Sequence, residues 1–300
     1  MSTTKTNSAP ASEYEILNNW IDDSEKNRLF THLHVDADAA FSAALIKLVK
    51  PNLDLSFVPA DTSIDDEESL GVDMLNGIRT VKGLKQGSAF GLIVNVLGNR
   101  DKVWRKAFGR WAKQINITDS GKHCKDSLLF VQLVSAWHAA GANDEEIVVR
   151  AHEILHGHFK NIKRELDSVE KSKTHPIVNG ISIIGEGENV SKRTLFHRGA
   201  KVVIRHGENT GVCLLLSKKE QNKGRSLVEL EGLLPDHWFI HPAGFIAAHG
   251  TKKAPKTFST CGTSLDELTD LLDDWLTCPN AKEIEEIKAA IQEDLNWEEE

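Results

Sequence analysis

The chain has 300 residues, 40% of them hydrophobic, with a formal net charge of -8, enough to bury one large core or two modest ones. No apolar stretch approaches the roughly 20 residues a membrane-spanning helix needs, and the opening MSTTKTNSAPASE lacks a signal-peptide core, so a soluble, intracellular protein, cytoplasmic and without membrane contact, is expected. Cys124, Cys213, Cys261 and Cys278 show no C-x-x-C spacing, which points away from a disulfide framework or a zinc ribbon.

Residues 1–23 read as a polar tail and a short leading helix, EYEILNNWI. NRLFTHLHV then has the composition of a buried strand, and ADAAFSAALIKLV has helical periodicity through Ala40, Ala44, Leu45 and Leu48. LDLSFVPA and GVDML are further strand candidates, and a helix is expected from about Gly87. This order predicts an α/β domain, a parallel sheet flanked by helices. Arg79 to Lys113 carries nine basic residues and one acid, Asp101, a density that suits phosphate binding or a solvated helix face. Helices are expected over Asp101–Lys113, Lys125–Ala140 and, as a connector, from Asn143 into the 160s or early 170s.

After KTHPIVNG the texture changes to short strand candidates, ISIIG, KVVIRH and GVCLLLS. We expect a first domain over 24–173, a second, smaller α+β domain over 174–278 that closes with the helix SLDELTDLLDDWL, and an acidic helical tail over 279–300. From Thr263 onward thirteen acidic residues face only Lys282 and Lys288, so the acidity is a property of the C-terminal region. That acidic helix offers a docking element for a homodimer or a protein partner.

The stretch THLHVDADAAFSAAL sets His32, Asp36 and Asp38 in H-x-x-x-D-x-D spacing at a strand-to-helix turn. Ligands of open α/β sheets bind at the carboxyl ends of strands, and one imidazole with hard carboxylates suits manganese, iron or magnesium. The same spacing fits a plain capped helix, with Asp36 or Asp38 accepting amide protons and His32 buried and hydrogen-bonded.

This stretch resembles the first motif of the DHH phosphoesterase superfamily, which includes RecJ-type exonucleases and cyclic-dinucleotide and nanoRNA phosphodiesterases. His32, Asp36, Asp38 and Ser42 match it. GVDMLNG places Asp73 like the family's bridging aspartate, and INITDSG places Asp119 like its later metal-binding aspartate. WFIHPAGFIAA is similar to the closing motif of the melanocyte-proliferating-gene-like exonuclease branch at His241 and Gly244. The resemblance implies a DHH-like first domain with Mn2+ or Mg2+ as one or two ions, His32, Asp36 and Asp73 around the first and Asp38, Asp73 and Asp119 around the second. Asp36, Asp38 and Asp73 would be catalytic. The chain departs from the pattern where the family's Asp-His-His triplet should stand: Val81, Lys82 and Gly83 are there instead. Neither valine nor glycine coordinates through its side chain, whereas Lys82 can hold a phosphate oxygen.

Other patterns compete. HEILH, His152 to His156, matches the zincin H-E-x-x-H, although Phe159 and Ile162 break its longer form. IIGEGEN lacks a phosphate-loop lysine and reads as a hairpin turn. Arg205 and His206 form a cationic strand end. Two readings follow: a divalent-metal-dependent phosphodiesterase acting on short oligonucleotides or dinucleotides, with Lys82, Arg205, His241 and Gly244 binding substrate, or a catalytically degenerate DHH-like nucleotide-binding or regulatory module. The partner in either is a nucleotide or a short single-stranded nucleic acid.

Overall fold

A computed structural model describes residues 12–122, 128–251 and 253–278. The acidic tail at 279–300, with the docking role expected of it, and the start of the N-terminal tail lie outside the described residues. The chain divides into two compact units, Met1–Lys163 and Arg164–Glu300.

The first unit opens with α1 (Glu13–Asp22), whose Ser12 and Glu15 form a reciprocal capping box. There follow β1 (Arg28–His32), α2 (Ala37–Val49), β2 (Asp54–Val58), β3 (Ser69–Val72), β4 (Thr80–Val81), α3 (Ala89–Arg100), α4 (Lys102–Asp119), α5 (Leu128–Ala139) and α6 (Asp144–Ser172), within which the division between units falls. The strands form a four-stranded sheet in the order β2-β1-β3-β4, parallel throughout. The expected parallel sheet flanked by helices is therefore present. β3 stops at Val72, so Asp73 lies just past the strand. α4 runs past Lys113 to Asp119 because Ile115 continues its buried stripe.

α2 is apolar on nearly every side, with each residue from Ala37 to Ile46 buried, as befits a helix enclosed by its neighbours. Phe41 meets Phe90 of α3, Trp111 of α4 and Phe130 of α5 edge-on, at centroid distances of 6.4, 6.5 and 5.0 Å. This aromatic cluster seats the helix whose first turn carries Asp36 and Asp38.

The second unit contains β5 (Ile181–Ile184), α7 (Lys192–His197), β6 (Val202–Gly207), β7 (Gly211–Leu216), the single turn α8 (Lys218–Gln221), β8 (Phe239–Ile240), β9 (Ile246–His249) and α9 (Leu265–Thr277). Its sheet runs β5-β6-β7-β9-β8 and is mixed, giving the expected second α+β fold. Gly185–Gly187 is not the expected hairpin turn. β5 pairs parallel with β6, and parallel neighbours need a crossover rather than a two-residue turn; here α7 supplies it. The Arg225 guanidinium donates to the carbonyl oxygens of Trp275, Leu276 and Cys278 at 2.6, 2.9 and 3.0 Å, closing the end of α9. Among the described residues no helix is long and apolar enough to cross a membrane.

Phe41→Ala removes a wholly buried ring and is expected to destabilise the first unit by about 3–5 kcal/mol, read as a lowered urea midpoint in the transition that reports this unit.

Candidate metal centre

The crossover from β1 through α2 leads to β2 on one side of β1, and the chain then returns to β3 on the other. The gap between β1 and β3 is thus the point where strand order reverses, the usual place for a ligand in an open α/β sheet. His32 is the last residue of β1, and Asp73 immediately follows β3.

Asp36 sits at the start of α2, where its Oδ1 accepts the Ala39 amide at 3.0 Å. The intervening turn is held from outside. The Asp144 carboxylate accepts the amides of His34 and Val35 at 2.8 and 2.9 Å, and the His138 Nε2–H donates to the Val35 carbonyl at 2.9 Å. His34 and Asp73 both adopt left-handed backbone, with φ of 56° and 54°. Such conformations cost free energy in non-glycine residues and cluster at functional sites.

Ligand atoms of His32, Asp36 and Asp73 lie within 4.8 Å of one another. His32 Nδ1 lies 3.0 Å from the Leu33 carbonyl and Nε2 lies 3.3 Å from Asp73 Oδ2. If Nδ1 donates to the carbonyl, Nε2 is left to face the cluster, the arrangement that orients a ligating histidine. Chiefly through its hydrogen bond to Asp73, the His32 pKa rises from 6.5 to about 9. One imidazole and two carboxylates form a hard donor set that fits Mn2+ or Mg2+.

Asp38 takes a different position. Its side chain is buried; Oδ2 accepts the Ala89 amide at 2.7 Å, and Oδ1 accepts the Phe90 amide at 2.8 Å and the Ser42 hydroxyl at 3.2 Å. The capping possibility is therefore realised across two helices: Asp36 caps its own, and Asp38 binds the first amides of α3. Burial, and then the charge of Asp73, push Asp38 well above the usual carboxylate range, against the pull of those amides. Asp119, at the end of α4, is raised to about 6 by burial and by the charges of Asp73 and Asp36, with Lys82 opposing. Asp38 and Asp119 thus feel the charge of the cluster, although neither joins its three converging ligand atoms.

The Val81-Lys82-Gly83 segment has its own structural logic. Val81 is buried in β4, and its carbonyl accepts the Asp73 amide at 3.0 Å. Lys82 directly follows Val81, the register partner of Val72, so it stands beside Asp73 at the strand ends. Glu13 Oε1 accepts the amides of Lys82 and Gly83 at 2.7 and 3.2 Å. Gly83 has φ of 66°, and a Cβ there would overlap the Ser88 carbonyl.

The other expected substrate contacts belong to the second unit. Arg205 is exposed on β6 and lines a cavity. His241 Nδ1 accepts the Ala243 amide at 3.0 Å while its ring packs 4.4 Å from Phe245. Gly244, with φ of 67°, donates its amide to the His241 carbonyl at 2.7 Å, and a Cβ would overlap Ser226. Neither His241 nor Gly244 lines the Arg205 cavity. His152 and His156 stack at 5.7 Å on α6, but among the described residues no third ligand joins them. Sequence reasoning missed Glu13 and the role of Asp144 in holding the turn before Asp36, because both contacts span long sequence separations.

No family model and no curated protein matches the chain. Among solved structures, RecJ from Thermus thermophilus in complex with Mg2+ is similar at 12% identity and a TM-score of 0.27, covering 82% of this chain and 50% of its own. This chain therefore spans about half the length of that relative. A DHH domain described as a member of the s1p family of ribosomal proteins is similar at 11% identity and a TM-score of 0.28, covering 89% of this chain and 91% of its own. An exopolyphosphatase-related protein from Bacteroides fragilis is similar at 9% and 0.25, covering 93% and 97%.

Two expectations follow from the electrostatics. Asp119→Asn removes a carboxylate that is costly to ionise; after allowing for its solvent exposure, the metal-free protein should gain on the order of 1 kcal/mol at pH 7. Differential scanning calorimetry should show a higher Tm for the variant and a smaller Tm rise on adding Mn2+. For His32, the raised pKa means that the pair with Asp73 stabilises the metal-free fold fully below about pH 6.5 and that this contribution is lost as pH climbs through about 9. A metal must displace that proton, so Mn2+ affinity should increase with pH up to about 9. Calorimetry near pH 7.5 in buffers of different ionisation enthalpy should detect the released proton.

Proposed function

We propose that the chain is a DHH-like, divalent-metal-dependent phosphoesterase that cleaves phosphodiesters in short oligonucleotides or dinucleotides. The observation that carries this reading is the convergence of His32, Asp36 and Asp73 within 4.8 Å at the reversal point of a parallel sheet, with Lys82 at the neighbouring strand end. His32, Asp36 and Asp73 hold Mn2+ or Mg2+. The ion supplies Lewis acidity, offsetting charge on the phosphoryl group and making water more acidic. Lys82 binds a phosphoryl oxygen as a fixed charge on a strand end. Asp38 orients α2 against α3, and Asp144 and Glu13 hold the turns that present Asp36 and Lys82.

A second reading, a nucleotide-binding module without turnover, is favoured by Val81 and Gly83: one is buried in a strand and the other is sterically confined to glycine, so neither position adds a ligand.

Hydrolysis of bis(p-nitrophenyl) phosphate, a linear dinucleotide and a five-nucleotide single strand is the test, with Mn2+, Mg2+ or EDTA. Activity with Mn2+ should vanish in EDTA and fall at least about a hundredfold in Asp73→Asn, while Lys82→Ala should chiefly raise KM. Turnover indifferent to Asp73→Asn sinks the proposal, and metal-dependent nucleotide binding without turnover installs the second reading.

A further inference from the structure

Within the first unit, Ile147, Val148, Ala151, Leu155 and Phe159 bury one face of α6 in the core. The face beside it carries His152 and His156, half-buried and one turn apart. Their ring centroids lie 5.7 Å apart with the planes 27° from parallel, as expected of neighbours at i and i+4. Among the described residues neither imidazole makes a hydrogen bond, so their ring nitrogens are not spent on the fold. Two imidazoles at this spacing chelate a borderline ion such as Zn2+. The hard donor set of His32, Asp36 and Asp73 differs from them in kind.

A structural zinc takes four protein ligands in a tetrahedron, and among the described residues no third ligand joins His152 and His156. The pair is therefore half of a site. A second copy of the chain can supply the other half, because this face of α6 is complementary to itself. At spacings of three and four it reads Glu145, Val149, His152, His156, Lys160 and Lys163, the stripe that an antiparallel helix pair brings together. Glu145, Lys160 and Lys163 are exposed, and among the described residues none of the three makes an ion pair. With a two-fold axis level with Ile154, midway between the histidines, His152 of one copy stands opposite His156 of the other, and Glu145 of one opposite Lys163 of the other. Each contact then occurs twice, as an isologous interface requires. We propose that His152 and His156 of two copies hold one zinc ion between antiparallel α6 helices, giving a zinc-dependent homodimer. The site uses no residue of the His32, Asp36 and Asp73 cluster and stands whether or not that cluster hydrolyses phosphodiesters.

Sedimentation velocity of the full chain in EDTA, in Mg2+ and in stoichiometric Zn2+ is the test. The chain should sediment as a monomer in EDTA and in Mg2+ and as a dimer in Zn2+. His152→Ala and His156→Ala, shown to be folded by an unchanged thermal melt in EDTA, should each weaken the zinc-dependent dimer at least tenfold, and Asp73→Asn should leave it unchanged. Glu145→Lys should weaken it a few-fold, and adding Lys163→Glu in the same chain should restore it, which a zinc site without this pairing of helices would not do. Four outcomes overturn the inference: a monomer in Zn2+, a dimer that persists in EDTA, a zinc-dependent dimer unaltered in both His152→Ala and His156→Ala, or one lost in Asp73→Asn. The last would assign the zinc to the first metal centre, and none of the four bears on Mn2+-dependent hydrolysis.

Discussion

The first unit depends on one buried carboxylate. Asp38 reaches from the first turn of α2 to the first two amides of α3 and takes the Ser42 hydroxyl as well. An ionised carboxylate is costly to bury unless hydrogen bonds replace its water, and the amides at a helix start are the donors that otherwise lack partners. The bond therefore satisfies both groups at once. It brings the starts of α2 and α3 together, and with them Asp36 and the β4–α3 loop that follows Lys82. The aromatic cluster around Phe41 provides the apolar burial that keeps this polar link dry.

The centre built on this frame concentrates negative charge. Burial, and then the charges of Asp73 and Asp36, raise Asp119 to about 6, while burial, and then the charge of Asp73, hold Asp38 well above the usual carboxylate range. His32 and Lys82 offset part of the charge, and a divalent ion offsets more. Left-handed backbone at His34 and Asp73 adds a conformational cost. Charge repulsion and backbone strain at one sheet edge are what a fold tolerates where binding repays them.

The second unit solves a different problem. Its mixed sheet buries one face under α9, where Leu268, Leu272 and Trp275 pack into the core, while part of the other face stays open as a cavity. Arg164, Lys192 and Arg205 line it together with Glu186 and Glu188.

Composition and periodicity were sufficient to show an α/β chain, its longer helices and several of its strands, and the turn that carries His32, Asp36 and Asp38, because helix and strand patterns are local and apolar residues repeat with them; the short β4, α7, β8 and β9 were not read. The bounds of α2 are readable from ADAAFSAALIKLV alone. What Asp38 does was not readable: its partners, Ala89 and Phe90, lie about fifty residues away, and nothing local distinguishes a ligand from a cap on another helix. The same holds for Glu13 on the amides of Lys82 and Gly83, for Asp144 on the β1–α2 turn, and for the parallel pairing of β5 with β6 that overturned the expected hairpin. Strand order decided which carboxylates meet, because it places the ends of β1 and β3 side by side. The sequence by itself determined the chemical inventory of the site, since residue types and local spacing are written in the chain; only tertiary structure decided which members converge, since convergence depends on pairings between distant segments.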